Sequence, residues 1–152
     1  MNEKELMNKV KKFLESNDKL SGYVKQFTVG GSGYARKLFP YIDIENARRS
    51  IQPRSIGPNG VDEHTFSFDI TCETGNLAPE RAYSGEHGIL QLCEDIVSVV
   101  WPSDFGGLFE RPARVFSVET AHEENSGGIK WKGVIRLEGK TTVSRGMGGS
   151  HV

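Results

Sequence analysis

The chain has 152 residues, of which 36% are hydrophobic and 26% are charged, and its formal net charge is -1. This length and composition favour a single globular domain that is long enough to bury a sizeable core. A net charge so close to zero gives no global attraction to nucleic acid or to a membrane surface. No apolar run approaches the ~20 residues of a membrane span, and the N-terminus is charged rather than signal-like, so we expect a cytoplasmic protein without a membrane partner.

The first segment of the chain predicts an amphipathic helix over residues 3–17. Leu6, Val10, Phe13 and Leu14 form one apolar stripe, and lysines and glutamates fill much of the remainder. Residues 23–29 then have the composition of a strand but run directly into a cluster of glycines, so their structure stays ambiguous.

Two strands follow, joined by a segment with two possible structures. Residues 39–47 predict a strand with Ile42 and Ile44 facing the core. Residues 65–72 alternate strictly between apolar and polar side chains, which is typical of a half-buried strand. Between them, residues 48–63 are rich in Pro, Gly and Asn, and they predict either an open loop or the tip of a long hairpin.

A long helix over residues 79–100 comes next. Its apolar residues recur at helical spacing, and Pro102 stops it because proline cannot continue a helix and biases Trp101 toward extended structure. The residues of this stripe are Ala82, Ile89, Cys93, Ile96 and Val100.

The last part of the chain predicts two more strands. Residues 114–120 form one, with Phe116 and Val118 facing inward, and residues 129–138 form the other. Residues 122–128 predict a polar turn between them. Across the whole chain we expect eight side chains to be buried, namely Phe66, Phe68, Ile70, Ile89, Ile96, Phe116, Trp131 and Ile135.

These elements predict an α+β fold: a mainly antiparallel sheet of four or more strands with two helices on one face, in the order α-β-β-α-β-β. We expect one domain over residues 1–143 and a flexible, glycine-rich tail over residues 144–152. Cys72 and Cys93 lie on apolar faces without the spacing of a metal site, so they predict two buried free thiols.

No catalytic or metal-binding motif emerges from the sequence. The glycines of residues 30–33 lack the Gly-Lys-Ser/Thr ending of a phosphate-binding loop, and they favour a flexible linker. The four histidines have no metal-ligand spacing, and no serine lies in a nucleophile elbow. Asp69 could pair with Asp43 or Glu45 across two strands, as carboxylates do in nucleases, but carboxylates on the wet face of a sheet are usually solvated. We therefore expect no enzyme, no cofactor and no bound metal.

The clearest basic cluster is Arg48, Arg49 and Arg54, within the segment rich in Pro and Gly. Without interleaved aromatic residues it is a weak signature of nucleic-acid binding. It predicts either a solvated hairpin tip or a surface that contacts acidic groups on a partner subunit. Because ordering backbone costs about 1–2 kcal/mol per residue, we expect residues 48–63 to be mobile in a free subunit and ordered in an assembly.

The order of elements and three short segments resemble the tail terminator (tail completion) proteins of tailed bacteriophages. The resemblance covers residues 1–143, whereas residues 30–33 and the glycine-rich C-terminus have no counterpart in it. The three segments are Tyr41-Ile42-Asp43-Ile44-Glu45, Thr74-Gly75-Asn76-Leu77-Ala78-Pro79-Glu80 and Gly88-Ile89-Leu90-Gln91-Leu92-Cys93-Glu94-Asp95-Ile96.

The resemblance implies a structural protein of the virion tail that is made in the host cytoplasm. Subunits of that family form a hexameric ring, which caps the tail tube, ends its polymerisation and offers a surface for head joining. The implied partners are other copies of the chain, the tail tube protein and the head–tail connector proteins, with DNA only passing through the ring lumen. The alternatives are a head–tail connector or another tail morphogenesis protein, a small nuclease, and an unrelated cytoplasmic binding domain.

Overall fold

The computed structural model describes residues 1–31, 37–75, 79–125 and 128–145. Within them the chain forms four helices and five strands in the order α1, α2, β1, β2, β3, α3, α4, β4, β5. The helices are α1 (Glu3–Glu15), α2 (Asp18–Ser21), α3 (Pro79–Tyr83) and α4 (Ile89–Val100). The strands are β1 (Gln26–Val29), β2 (Tyr41–Pro53), β3 (Val61–Glu73), β4 (Arg114–Asn125) and β5 (Gly128–Ser144).

The five strands form one mixed sheet in the order β1-β2-β3-β5-β4. Neighbours are antiparallel except β1 and β2, which run parallel. The predicted α+β class is confirmed, but the predicted sheet and helix count are only partly right. The ambiguous residues 23–29 supply the parallel strand β1, and the short helices α2 and α3 are additional to the two predicted ones.

The predicted N-terminal helix is confirmed as α1. It begins after Asn2, whose side chain accepts a hydrogen bond from the backbone N–H of Glu5 at 2.9 Å, and this satisfies a donor in the first turn. Its apolar stripe of Leu6, Val10 and Leu14 is fully buried. α1 and α4 pack with the inward side chains of the sheet into one hydrophobic core.

The predicted long helix over residues 79–100 is wrong as a single element, because α3 ends at Tyr83 and α4 begins at Ile89. The chain folds back on itself between them. A Cβ atom on Gly88 would lie 2.4 Å from the carbonyl oxygen of Arg81, so only glycine permits this close approach. Ala82 and Ile89 are nevertheless both fully buried, which explains why their spacing mimics one continuous helix. The predicted end of the helix at Pro102 is confirmed.

The inward face of the sheet carries the predicted core. Six of the eight expected side chains are buried, and Phe68 additionally contacts Phe105 and Phe109 of the loop after α4, at ring-centroid distances of 6.1 and 6.3 Å. The six confirmed residues are Phe66, Phe68, Ile70, Ile89, Ile96 and Ile135.

Two predictions about β4 and β5 are wrong, namely that Phe116 and Trp131 are buried. Phe116 is 49% exposed, because a bulge between Val115 and Ser117 turns it away from the core. Val118 does lie on the inner face, opposite the buried Ile135, as predicted, but it is 46% exposed because β4 is the outermost strand of the sheet. Trp131 is half-buried rather than buried.

Residues 48–63 form a hairpin rather than an open loop. β2 continues to Pro53 and pairs with β3 from Val61 onward, so only residues 54–60 form the connection. β5 extends the ladder on the other side of β3 as far as Ser144. The expectation of a mobile loop assumed that these residues have no strand partners, whereas residues 48–53 do pair with β3. Within the predicted turn at residues 122–128, residues 122–125 and 128 belong to strands, and residues 126–127 lie outside the described residues. Residues 146–152 of the predicted tail also lie outside them.

Candidate assembly surface

The structure separates the three predicted interface arginines. Arg48 lies opposite Ser67 on the face of the sheet that the helices do not cover, which we call the outer face. Arg49 lies on the helix-covered inner face, where its Nε atom is 2.9 Å from a carboxylate oxygen of Glu3. Arg54 lies at the hairpin tip and forms an ion pair with Glu63. The three side chains therefore do not form one basic cluster.

The hairpin tip is held by contacts within the chain. Arg145, directly after β5, forms an ion pair with Asp62 at 2.6 Å, and its guanidinium also donates to the carbonyl of Ser55. Its backbone N–H donates to the carbonyl of Gly60 at 2.8 Å. The connection between β2 and β3 is thereby fixed to the end of β5, while Ile56 at its tip is fully exposed.

Two opposite edges of the sheet differ in charge. On one side, β4 pairs with β5, and no other described strand pairs with it. On the other side, β1 covers β2 only at residues 41–44, and in the described part of the chain nothing pairs with that side of β2 beyond them. We call β4 the acidic edge, after the exposed Glu119 and Glu123, and residues 48–53 of β2 the basic edge.

An open groove of about 420 Å³ lies on the outer face between these edges. Asp69 lines it, 3.0 Å from the side-chain amide of Asn46 and 3.7 Å from the guanidinium of Arg136. The exposed ring of Phe116 lines the groove and has the guanidinium of Arg114 over it, 4.6 Å from the ring centre. The groove thus combines an exposed aromatic ring with a carboxylate that is already paired with Arg136 and Asn46. This combination suits a protein contact better than a catalytic site.

A buried polar cluster occupies the outer face beside β1. Thr28 donates to the carboxylate of Asp43 at 2.7 Å and shares a 2.6 Å hydrogen bond with the hydroxyl of Tyr41. The backbone N–H of Gly31 also donates to Asp43, at 2.9 Å. Burial raises the pKa of Tyr41, so its hydroxyl stays protonated. We call Thr28, Gly31, Tyr41 and Asp43 the polar corner.

The polar corner shows that Gly31 is tightly packed, so the interpretation of the glycine-rich segment as a flexible linker is wrong for this residue. A Cβ atom on Gly31 would lie 2.4 Å from the hydroxyl oxygen of Thr28 and 2.6 Å from that of Tyr41, so the residue is packed where no side chain fits. Ser32 and Gly33 lie outside the described residues. Just beyond, Lys37 contacts Glu73 at 2.9 Å, and this hydrogen bond raises the pKa of the lysine.

A second cleft, of about 380 Å³, lies near the start of α4. The rings of Tyr23 and His87 stack there at 4.1 Å, and the hydroxyl of Tyr23 donates to Asp95 at 2.6 Å. Burial, and then the hydrogen bond to Asp95, raise the pKa of Tyr23. His87 has a φ of 59°, and Gln91 accepts a hydrogen bond from its backbone N–H.

The carboxylates that the sequence singled out for a nuclease site do lie close together, since Glu45 is opposite Asp69 and two residues from Asp43. Among the described residues, however, no group of three or more His, Cys, Asp or Glu side chains is arranged to hold a metal ion. Burial, and then the neighbouring charge of Asp43, raise the pKa of Glu45. A carboxyl group that is partly buried beside another carboxylate holds its proton more tightly than a solvated one.

The acidic edge is the feature that sequence reasoning missed. His122, Glu123 and the following polar residues suggested a turn, although residues 114–125 contain no Gly or Pro to interrupt a strand. The absence of Gly and Pro over these residues was the signal that could have predicted the longer strand. The predicted buried free thiols, by contrast, are confirmed, with the Cys72 and Cys93 sulfur atoms 3.7 Å apart.

No protein-family model matches the chain, and no curated protein is significantly similar to it. None of the helices in the described ranges combines the length and the apolar character that crossing a membrane requires.

Proposed function

We propose that this chain is a structural protein of a phage tail that forms a ring, caps the tail tube and ends its polymerisation. The observation that supports this proposal best is the pair of sheet edges of opposite charge on opposite sides of one subunit. Edges of this kind favour head-to-tail contacts, and such contacts generate a ring when the rotation between subunits closes. A homo-oligomer, a hexamer in the family that the sequence resembles, follows from this proposal.

The hairpin tip is the surface that we assign to the tail tube. Residues 51–59 are all exposed, and they extend beyond the strand β1. The contacts of Arg145 hold the tip in place, so docking would cost less conformational entropy than docking an open loop. Ile56 offers a fully exposed apolar side chain for the tube protein, and the opposite side of the ring would meet the head–tail connector proteins.

The test is polymerisation of a phage tail tube protein in the presence and absence of the purified chain. The proposal expects tubes of limited length with a ring at one end, visible by electron microscopy. Ile56→Asp should abolish capping without affecting folding, because the side chain is fully exposed. The matched control is Leu38→Asp, which changes another exposed apolar residue outside the hairpin and should cap normally.

Unlimited tube growth in the presence of the wild-type chain would contradict the proposal. A chain that leaves tube growth unchanged but binds a portal or connector protein would instead be a head–tail connector. A nuclease would cleave DNA in the presence of a divalent ion, and Asp69→Asn would abolish the cleavage.

A further inference from the structure

The two cysteines of the chain meet where a helix packs on the sheet. Cys72 lies on β3, the central strand, opposite Gly133 of β5, and Cys93 lies on α4. Their sulfur atoms are 3.7 Å apart, although the residues are 21 positions apart in sequence. The fold therefore holds the two sulfur atoms in contact, across the junction between α4 and the sheet.

Gly133 makes room for this contact. A Cβ atom at that position would lie 2.5 Å from the sulfur of Cys93 and 2.9 Å from the sulfur of Cys72, so a side chain there would displace both. A disulfide bond brings two sulfur atoms to about 2 Å. The remaining approach is less than about 2 Å, which small rotations about the Cα–Cβ bonds of the two cysteines can supply.

The two thiols differ in acidity and in exposure. The hydrogen bond between them lowers the pKa of Cys93 and raises that of Cys72, and burial raises the pKa of Cys72 further. Cys93 is 4% exposed, whereas Cys72 is fully buried. Because the thiolate is the form that attacks an oxidant, Cys93 is the residue that a small oxidant reaches and oxidises first.

We propose that Cys72 and Cys93 form an intramolecular disulfide when the chain meets a peroxide, and that this bond clamps α4 onto β3. The Cys93 thiolate attacks one oxygen of hydrogen peroxide, the O–O bond breaks, and hydroxide leaves. The product is a sulfenic acid on Cys93.

The second step joins the two residues. The sulfur of Cys72 attacks the Cys93 sulfur, the S–O bond breaks, and the hydroxyl group leaves as water with the proton of Cys72. Over both steps the two thiols lose two hydrogen atoms and are oxidised by two electrons, while one peroxide molecule is reduced to two water molecules.

The surroundings of the chain decide which form is present. In a reducing compartment both residues remain thiols, and in an oxidising one the covalent link forms. The reaction needs the two cysteines and a peroxide, and no tail tube. The inference therefore goes beyond the proposed function and can be tested separately from it.

The test is oxidation of the folded, reduced chain with excess hydrogen peroxide, followed by mass spectrometry after an acid quench. The wild-type chain should lose about 2 Da, the mass of two hydrogen atoms, and remain a single chain. A digest should contain two peptides linked through Cys72 and Cys93. Cys72→Ala removes the second thiol, so Cys93 should instead gain oxygen, at about 16 Da per atom. Cys93→Ala is the matched control and should stay unmodified, because Cys72 is fully buried.

Urea denaturation tests whether the bond clamps the helix. The midpoint of the oxidised wild-type chain should rise by roughly 1–2 M, because the link restricts the unfolded chain, and dithiothreitol should reverse the rise. A wild-type chain that keeps both thiols, or that gains oxygen instead of losing hydrogen, overturns the proposal. A disulfide that leaves the midpoint unchanged or lowers it overturns the clamp. If the disulfide forms but the chain does not cap tubes, the proposed function fails and the disulfide stands.

Discussion

Residues 41–44 of β2 are buried on both faces of the sheet, and the two faces achieve this with different chemistry. Ile42 and Ile44 point inward into the apolar core, whereas Tyr41 and Asp43 point outward into the polar corner. Burial of apolar area stabilises by roughly 25 cal/mol per Å² and does not depend on direction. A buried polar group stabilises only if each donor and acceptor finds a partner at the right distance. On the inner face, stability should therefore depend on the volume of the buried side chains. On the outer face, it should depend on the distances and directions of the hydrogen bonds.

Ile44→Ala should produce the largest effect, because it leaves a cavity beneath the sheet. We expect the free energy of unfolding to fall by about 2–5 kcal/mol, as for other buried isoleucines. Urea denaturation measures it, and Ile51→Ala at the exposed end of the same strand is the control, expected within about 0.5 kcal/mol of wild type. Equal losses at the two positions would contradict the assignment of Ile44 to the core.

Gly31→Ala tests whether the polar corner has room for a methyl group. The added Cβ would overlap the hydroxyl oxygens of Thr28 and Tyr41, so we expect a loss of about 1–3 kcal/mol. Gly30→Asn is the matched control, because a Cβ there meets nothing within 4 Å and asparagine tolerates the positive φ of 60°. A Gly31→Ala variant as stable as wild type would mean that the corner is loosely packed.

Thr28→Val removes one hydroxyl from the polar corner and keeps the shape of the side chain. Asp43 loses a hydrogen-bond donor and Tyr41 loses a partner, so thermal unfolding should report a loss of about 1–2 kcal/mol. Thr28→Ser retains the hydroxyl and loses only a methyl group, which costs about 0.8 kcal/mol. If valine proved as stable as serine at this position, hydrogen bonding would not hold the outer face.

Glu45→Gln should have the smallest effect and should depend on pH. Burial, Asp43 and Asp69 raise the pKa of Glu45 above its ordinary 4.5, while Lys132 opposes them. Between the ordinary and the raised pKa the folded chain holds a proton that the unfolded chain has lost, so the free energy of unfolding falls as pH rises through that window. The variant should be more stable than wild type above the window, by less than about 1 kcal/mol, and equal to it below pH 4.5. Urea denaturation on both sides of the window measures this, and a constant difference would refute the shifted pKa.

The apolar core on the inner face of the sheet could be predicted from the sequence, but the polar corner on the outer face could not. Alternation in β3 placed Phe66, Phe68 and Ile70 in the core, because the period of a strand is local information. The polar corner depends on β1 lying parallel to β2, which requires a crossover that no local pattern specifies. Asp43 therefore looked like a solvated carboxylate, although it is 1% exposed.

The errors at the assembly surface have related causes. Phe116 was assigned to the core because it alternates with Val118, but the bulge between Val115 and Ser117 turns its ring away, and a bulge leaves no mark in the apolar pattern. Arg48, Arg49 and Arg54 looked like a cluster because they are close in sequence, but a strand sends neighbouring side chains to opposite faces. Choosing the hairpin over the open loop would have placed Arg48 and Arg49 on opposite faces from the sequence alone.

The two cysteines carry a practical consequence for studying such an assembly. Cys72 and Cys93 are the two thiols of the chain, and both are buried beneath the bare backbone of Gly133. Maleimide reagents attack exposed thiolates, so the native chain should resist labelling while it is folded. A cysteine placed at Ser50 or Ser117 would then carry a fluorophore or a spin label at one known position per subunit. If the chain self-associates as proposed, distances between such labels would report the number and spacing of subunits without removal of the native cysteines.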